Sequence, residues 1–201
     1  MGIITRIRTL YFLCLLMALG AEVGENIRIE GPLDILLRDG ASLKNLKIGD
    51  NVVFSGKTYI RMRKNGKISL QKNVRIGTEV WLVTANDAEL VAGENAILSH
   101  YSIFNGGHGI SIGKYCVFGA FVYVNSSEHG FRRDSLIQNQ EFYGEPVHIG
   151  DDVWLGGHVI ITQGVTIGEG SVIGGGAIVT KDIPPYKIAV GNPARVIKDR
   201  E

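Results

Sequence analysis

The chain has 201 residues, with 21 lysines and arginines against 20 aspartates and glutamates, and its formal net charge is +1. This length fits one domain with a sizeable core, and the balanced charge gives no field that would favour nucleic acid or a strongly acidic partner. Apolar residues make up 45% of the chain, which excludes a disordered composition. Glycine is abundant, at 27 residues, and we expect a repeating sequence pattern to account for it.

The first element along the chain is an apolar run over residues 10–19, preceded by Arg6 and Arg8. The run is too short to cross a bilayer as a helix, which needs about 20 residues. It is similar to the short apolar region of a secretory signal, although residues 18–22 (ALGAE) form a poor cleavage site. The alternative is an amphipathic helix within residues 1–24 that packs on the body of the protein or rests on a membrane surface.

A strict repeat of six residues fills the segment 149–184, which reads IGDDVW, LGGHVI, ITQGVT, IGEGSV, IGGGAI and VTKDIP. Every first position is aliphatic and every second is Gly or Thr. Broken hexads occur upstream, where segments 61–66 and 105–109 are interpreted as insertions or turns. A period of six predicts very short strands and tight corners, stacked as coils across residues 25–184 with the first and fifth positions pointing inward.

The repeat lapses between residues 129 and 147, where charged and aromatic residues collect. Long interruptions in compact domains tend to be functional loops, so this segment is the predicted active-site loop. Beyond residue 184 the repeat stops, and residues 185–201 are predicted to form a separate C-terminal tail.

The repeat run, together with TKDIPP at 180–185 and GNPARVI at 191–197, resembles the hexapeptide-repeat acyltransferases, in particular the galactoside and maltose acetyltransferases and the related surface-polysaccharide O-acetyltransferases. The resemblance covers residues 110–198, weakens over 25–110 and does not extend to the N-terminal run. It implies a left-handed parallel β-helix, and the N-terminal helix and the protruding loop are predicted from the residues themselves. The predicted fold class is therefore all-β: a left-handed parallel β-helix with a short N-terminal helix and a protruding loop. The resemblance also implies a homotrimer with active sites between subunits, acetyl-CoA as co-substrate and a sugar or glycan as acceptor.

His129 lies where the repeat gives way to the loop, at the position where the galactoside acetyltransferases carry their catalytic histidine. Acyl transfer to a hydroxyl needs a base, because an alcohol is too weak an acid to attack unaided, and imidazole has an ordinary pKa of about 6.5. The alternative is a surface histidine, and the resemblance favours catalysis. No two histidines have the spacing of the zinc ligands in the carbonic anhydrases of this fold, so we expect no metal. Cys116 fills an inward position, which favours direct attack over an acyl-cysteine.

The resemblance also implies a set of coenzyme A contacts, and each basic member of the set could instead be an ordinary solvated side chain. A tryptophan lines the pantetheine arm, one peptide N–H stabilises the oxyanion, and basic side chains meet the phosphates. These residues are Trp154, Gly157, Gly175, Thr180, Lys181, Arg195 and Lys198. Asn125 is a candidate for binding a sugar hydroxyl, or equally for an asparagine ladder between coils.

The sequence therefore predicts an O-acetyltransferase that uses His129 as a general base. The alternatives are an N-acetyltransferase of a nucleotide-linked amino sugar and a non-catalytic β-helical scaffold. Because acetyl-CoA is cytosolic, this function favours a retained N-terminal helix and a cytoplasmic protein, with membrane-peripheral contact through that helix.

Overall fold

The computed structural model describes residues 2–201 as a prism of stacked coils. Three parallel sheets, named A, B and C in the order in which the chain enters them, each contribute one strand to every one of seven coils. The turns that join them are the A–B, B–C and C–A corners. This architecture confirms the predicted parallel β-helix with a short N-terminal helix and a protruding loop.

The strands are short, as the hexad period requires. Sheet A contains Glu22–Val23, Leu46–Ile48, Lys67–Leu70, Glu89–Ala92, Ile110–Ile112, Val147–Ile149 and Thr166–Ile167. Sheet B contains Arg28–Ile29, Val53–Phe54, Arg75–Ile76, Ile97–Leu98, Val117–Phe118, Trp154–Leu155, Val172–Ile173, Lys187–Val190 and Arg195–Asp199. Sheet C contains Leu33–Arg38, Thr58–Arg63, Val80–Thr84, Ile103–Gly106, Tyr123–Asn125, Ile160–Ile161 and Ile178–Val179. The remaining elements are helix α1 (Ile3–Ala18), 3-10 turns at Leu43–Asn45 and Ile137–Asn139, and the hairpin strands Glu128–His129 and Phe142–Tyr143.

The core consists of side chains from the first and fifth hexad positions. Ile149, Val153 and Leu155 are buried, whereas Trp154 between them is exposed. Fourth-position residues such as Asp152 take left-handed backbone angles, here with φ of 55°, which turn the chain at each corner. The hexad register read from the sequence is therefore the register of the fold.

The second-position glycines allow successive coils to approach closely at the corners. A Cβ added to Gly119 would lie 2.5 Å from the backbone nitrogen of Gly157 in the next coil. No side chain fits at that distance, because the obstructing atom belongs to backbone that is itself fixed in the stack.

The upstream hexads are broken because the upstream coils are longer. Asn51, Asn73 and Asn95 stack at the A–B corner and hydrogen-bond to one another across intervals of 22 residues, whereas paired residues of the last coils, such as His148 and Thr166, are 18 residues apart. The additional residues lengthen sheet C. The interpretation of 61–66 and 105–109 as insertions or turns was therefore wrong in part, since Arg61 and Asn105 lie within sheet C strands.

Helix α1 covers the open end of the first coil. The Thr9 hydroxyl accepts a hydrogen bond from the Ile29 N–H at 3.0 Å, and Leu16 is fully buried. Gly20, with φ of 94°, ends the helical segment, and Glu22–Val23 already pairs in sheet A, three residues before the predicted start of the coils at residue 25. Within residues 2–201, no helix is long and apolar enough to span a membrane.

The C-terminal segment continues sheet B beyond residue 184, where the repeat pattern stops. Lys187–Val190 pairs in parallel with Val172–Ile173, and Arg195–Asp199 then folds back antiparallel on it. The predicted tail is thus a hairpin that extends one face of the prism.

Candidate active site

The interrupting loop leaves the prism at the C–A corner, between Tyr123–Asn125 and Val147–Ile149. Its base is a short antiparallel hairpin in which His129 pairs with Phe142. Gln140 fixes the rest of the loop, since its side chain accepts from the Arg132 N–H at 2.8 Å and donates to the Arg132 carbonyl at 2.8 Å. The loop is therefore held in a defined shape by its own hydrogen bonds.

His129 is presented to solvent by this hairpin. Its ring packs on Phe142, with the ring centroids 3.9 Å apart and the planes inclined by 40°. Neither ring nitrogen of His129 has a hydrogen-bond partner in the described part of the chain. The neighbouring Tyr143 has a raised pKa, because its ring is partly desolvated and the Glu128 carboxylate disfavours a phenolate. The hairpin therefore offers an imidazole with both nitrogens available beside a neutral phenol.

A groove of about 670 Å³ runs along the C–A corner beneath the hairpin. Its polar groups come from successive coils: the Lys64 ammonium donates to the Asn86 side-chain oxygen at 3.0 Å, and the Asn86 amide donates to the Gly107 carbonyl at 3.0 Å. The Nδ1 atom of His108 is buried there, and it has no hydrogen-bond partner among residues 2–201. Phe142 lines this groove and packs on the His129 ring, so the imidazole lies next to the groove without lining it.

The sequence analysis missed Lys64, Asn86 and His108 as groove residues. They recur at intervals of 22 residues, which is the length of the upstream coils. That recurrence could have identified these residues in the sequence. A search for hexads does not detect it, because 22 is not a multiple of six.

Asn125 takes part in a ladder between coils. Its side-chain oxygen accepts from the Asn105 amide at 2.8 Å and from the Ser127 N–H at 3.2 Å. These two bonds leave its own NH₂ group as the donor that could reach a sugar hydroxyl, and that role stays a prediction.

The predicted contacts for the reacting end of coenzyme A lie on a different part of the prism. Trp154 projects from sheet B with 55% of its surface exposed, between Val117 and Val172 of the neighbouring coils. Gly157 follows at the B–C corner, where its carbonyl accepts from the Gly176 N–H at 2.9 Å. Its own N–H has no acceptor within residues 2–201, and Gly175 is exposed directly above it.

The remaining candidates divide between the same two regions. Thr180 and Lys181 are exposed at the C–A corner, which is the corner that carries His129. Arg195 and Lys198 are exposed on the last strand of sheet B. The predicted site residues of one chain thus flank sheet C on both sides instead of meeting in one cleft.

Cys116 is buried in the core, and its thiol donates to the Gly150 carbonyl at 3.1 Å. Burial raises the pKa of this thiol to about 11, so it is protonated at neutral pH. A protonated and inaccessible thiol cannot attack a thioester. Within residues 2–201, no three His, Cys, Asp or Glu side chains cluster as a metal site.

The segment 146–181 matches the family model described as bacterial transferase hexapeptide (six repeats). Among curated proteins, the chain is 46% identical over 90 residues to the galactoside O-acetyltransferase of Escherichia coli, covering 45% of this chain and 44% of that protein. It is 35% identical over 122 residues to an acetyltransferase of Mycobacterium tuberculosis, covering 59% of this chain and 40% of that protein. The chain thus spans less than half the length of these curated relatives.

Among solved structures, the chain resembles a maltose O-acetyltransferase from Clostridium difficile, with 31% identity, a TM-score of 0.55, and coverage of 94% of this chain and 74% of that one. It also resembles AntD, an N-acyltransferase from Bacillus cereus, with 21% identity, a TM-score of 0.64, and coverage of 94% and 88%. At that identity the likeness to AntD shows the fold alone.

The fold, the hexad register and the loop at the C–A corner define a hexapeptide-repeat β-helix of the transferase type. The chain belongs to the hexapeptide-repeat acyltransferases, and its relatives in that family include galactoside and maltose O-acetyltransferases.

Proposed function

We propose that the chain transfers the acetyl group of acetyl-CoA to a hydroxyl of a sugar or surface polysaccharide, with His129 as the general base. The observation that carries the proposal is the placement of His129: an exposed imidazole with both nitrogens available, packed on Phe142, which lines a polar groove. The relatives named as galactoside and maltose O-acetyltransferases support a hydroxyl acceptor.

In the proposed reaction the sugar hydroxyl approaches His129 from the groove. The imidazole removes its proton while the oxygen attacks the acetyl carbonyl carbon, and the oxyanion that forms is stabilised by a peptide N–H. The carbon–sulfur bond then breaks, and the imidazolium returns the proton to the departing thiolate. The products are an O-acetyl ester and the coenzyme A thiol.

The division of the site between two regions supports a homotrimer. One of the two outward columns of sheet C is apolar beyond its first member, Asp34, whereas the outward side chains of sheet A are mainly polar. Three prisms that bury sheet C around a threefold axis bring the C–A corner of one subunit against the B–C corner of the next. His129 of one subunit then faces Trp154 and Gly157 of its neighbour. Beyond Asp34 the column consists of Tyr59, Trp81, Ile103, Tyr123, Ile160 and Ile178.

In this arrangement acetyl-CoA lies in the groove between two subunits. The Gly157 N–H lacks an acceptor within residues 2–201, and in this arrangement it is the oxyanion donor that faces the His129 of the adjacent subunit. Gly175 and Thr180 line the pantetheine arm from opposite sides. The phosphates are met by Lys181, Arg195 and Lys198, each of them exposed. Dependence on acetyl-CoA also favours a cytoplasmic protein.

The acceptor occupies the C–A groove beneath the hairpin. Lys64 and Asn86 offer donors below His129, and Asn125 offers its NH₂ group. These groups suit the hydroxyls of a glycan that extends along the corner across successive coils, which are about 4.8 Å apart.

Two measurements test the proposal. The first is thermal unfolding with and without coenzyme A, for the wild type, Lys181→Gln and the control Lys114→Gln, which alters an ion-paired lysine on the A–B side. Coenzyme A should raise the melting temperature of the wild type and the control, and Lys181→Gln should reduce that shift. If coenzyme A did not change the melting temperature of the wild type, the result would favour the alternative of a non-catalytic β-helical scaffold.

The second measurement compares acetyl transfer to hydroxyl sugars and to nucleotide-linked amino sugars, detected by release of the coenzyme A thiol. Turnover with hydroxyl sugars supports the proposal. Turnover confined to amino sugars would replace it with N-acetyl transfer, because a neutral amine attacks without a histidine base.

A further inference from the structure

Helix α1 has an apolar surface on both sides, and the coils cover only one of them. Thr9, Phe12, Leu13 and Leu16 face the first coil. On the opposite side, Ile3 is 76% exposed and Ile7 and Leu10 are each 65% exposed. A helix that is apolar all round normally has both sides buried, in a protein core or at a membrane.

The exposed side is a continuous stripe. Side chains at intervals of three, four and seven residues lie on one face of a helix. They are Ile3, Ile7, Leu10, Tyr11, Cys14 and Met17, all exposed. The stripe carries no charge, and Tyr11 adds a ring of the kind that prefers a membrane–water interface. Its position at the end of the prism directs it away from the coils and from the His129 loop.

The same end of the prism exposes a further apolar side chain. Leu37 aligns with the buried Met62 of the next coil, so it occupies an inward position. It is nevertheless 36% exposed, because no coil precedes it. The outer stripe of helix α1 and the uncovered Leu37 both lie at this end of the prism, and they are called together the end surface.

The charges around this surface favour an anionic partner. Residues 1–21 contain no carboxylate. Of the five carboxylates in residues 22–47, four are held in ion pairs with basic residues. Arg6, Arg38 and Lys44 are exposed and make no ion pair within the described chain. Unpaired cations beside an uncharged apolar stripe are the features with which an interfacial helix binds anionic lipid.

We propose that this end surface, consisting of the outer stripe of helix α1 with Leu37 and the cations Arg6, Arg38 and Lys44, docks the protein peripherally on an anionic lipid bilayer. The helix lies in the interface plane and does not cross the membrane. A second copy fits the surface less well, because two copies facing each other would bring together surfaces that each carry three unpaired cations. In the proposed trimer the three parallel prisms present their helices on one plane, which matches a bilayer.

The test is flotation of the full chain with vesicles of phosphatidylcholine alone and of phosphatidylcholine containing one quarter phosphatidylglycerol. The wild type should float with both and more strongly with the anionic vesicles. The variant Ile7→Ser with Leu10→Ser should weaken partitioning by roughly tenfold per side chain, because two exposed aliphatic groups no longer enter the bilayer. The matched control, Ile97→Ser with Tyr115→Ser, changes exposed apolar side chains on the body and should float like the wild type.

A charge variant separates the two contributions. Arg6→Gln with Arg38→Gln should reduce the preference for anionic vesicles by roughly fivefold per arginine, because only Lys44 of the three cations remains, and should leave binding to phosphatidylcholine unchanged. All altered side chains are exposed, so circular dichroism should show an unchanged fold.

Two results would overturn the proposal. One is a wild type that floats with neither vesicle. The other is an assembly, seen by sedimentation without lipid, that Ile7→Ser with Leu10→Ser breaks into smaller species, because the stripe would then be an interface between copies. Neither result bears on acetyl transfer, which is measured with soluble substrates.

Discussion

The close approach of coils at the B–C corner gives a sharp prediction for Gly119→Ala. The added Cβ would lie 2.5 Å from the Gly157 nitrogen, 2.8 Å from the Gly156 carbonyl carbon and 2.9 Å from the Gly157 Cα. All three are backbone atoms, so the methyl group can be accommodated only if the corner that carries Gly157 moves. The proposed oxyanion donor moves with it.

The loss of stability in Gly119→Ala can be compared with the loss caused by a similar backbone clash at another corner. At Gly150 an added Cβ would lie 2.6 Å from the Glu169 nitrogen, at the A–B corner away from the proposed site. Overpacking of this kind typically costs about 1–3 kcal/mol, which lowers the melting temperature of a chain of this size by roughly 2–4 °C per kcal/mol. We expect Gly119→Ala and Gly150→Ala to be destabilised to a similar extent.

Their activities should differ. Displacing a catalytic group by a fraction of an ångström to 1 Å can lower turnover by about tenfold to a hundredfold, so Gly119→Ala should lose kcat by this amount. Gly150→Ala should keep the wild-type kcat. Acetyl transfer is measured at a temperature where both variants are folded. If Gly119→Ala retained full turnover, or if Gly150→Ala lost as much, the assignment of the oxyanion donor to the Gly157 corner would be refuted.

Three further predictions follow from the site and the core. Phe142→Ala removes the ring on which His129 packs, and should lower kcat while leaving the thermal shift by coenzyme A intact; an unchanged kcat would mean that the hairpin does not position His129. At pH 8 a maleimide should label the exposed Cys14 rapidly and the buried Cys116 only on unfolding. Burial raises the pKa of Cys116 to about 11, so its thiol is protonated at pH 8. Equal labelling of the two cysteines, measured by mass spectrometry, would contradict this prediction. Arg195→Gln should raise the KM for acetyl-CoA with little change in kcat, and a loss confined to kcat would remove it from the phosphate contacts.

The fold could be predicted from the sequence because the position of a residue in its hexad determines whether its side chain is buried. Ile149, Val153 and Leu155 point inward for the same local reason in every coil, so residues 149–184 could be placed without tertiary information. The apolar N-terminal run likewise formed a helix. The upstream coils were harder, because their 22-residue length comes from longer sheet C strands that no six-residue period describes.

The site was readable only in part. His129 was identified by its place at the lapse of the repeat and by family resemblance, and the structure places it on an ordered hairpin. Lys64 and Asn86 were missed because they meet in one groove only after coils of equal length stack. The residues alone did not indicate that His129 and Trp154 lie on different faces of the prism. The face on which a residue lies depends on the number of residues in each strand and each corner, which only the structure shows.

The most direct test of the central claim is acetyl transfer by His129→Ala, with coenzyme A binding measured on the same sample. The account predicts a loss of kcat of about a hundredfold to ten-thousandfold, which is the usual contribution of a general base, with the thermal shift by coenzyme A unchanged. Wild-type kcat in His129→Ala would contradict the account, because the hydroxyl would then be activated without this imidazole.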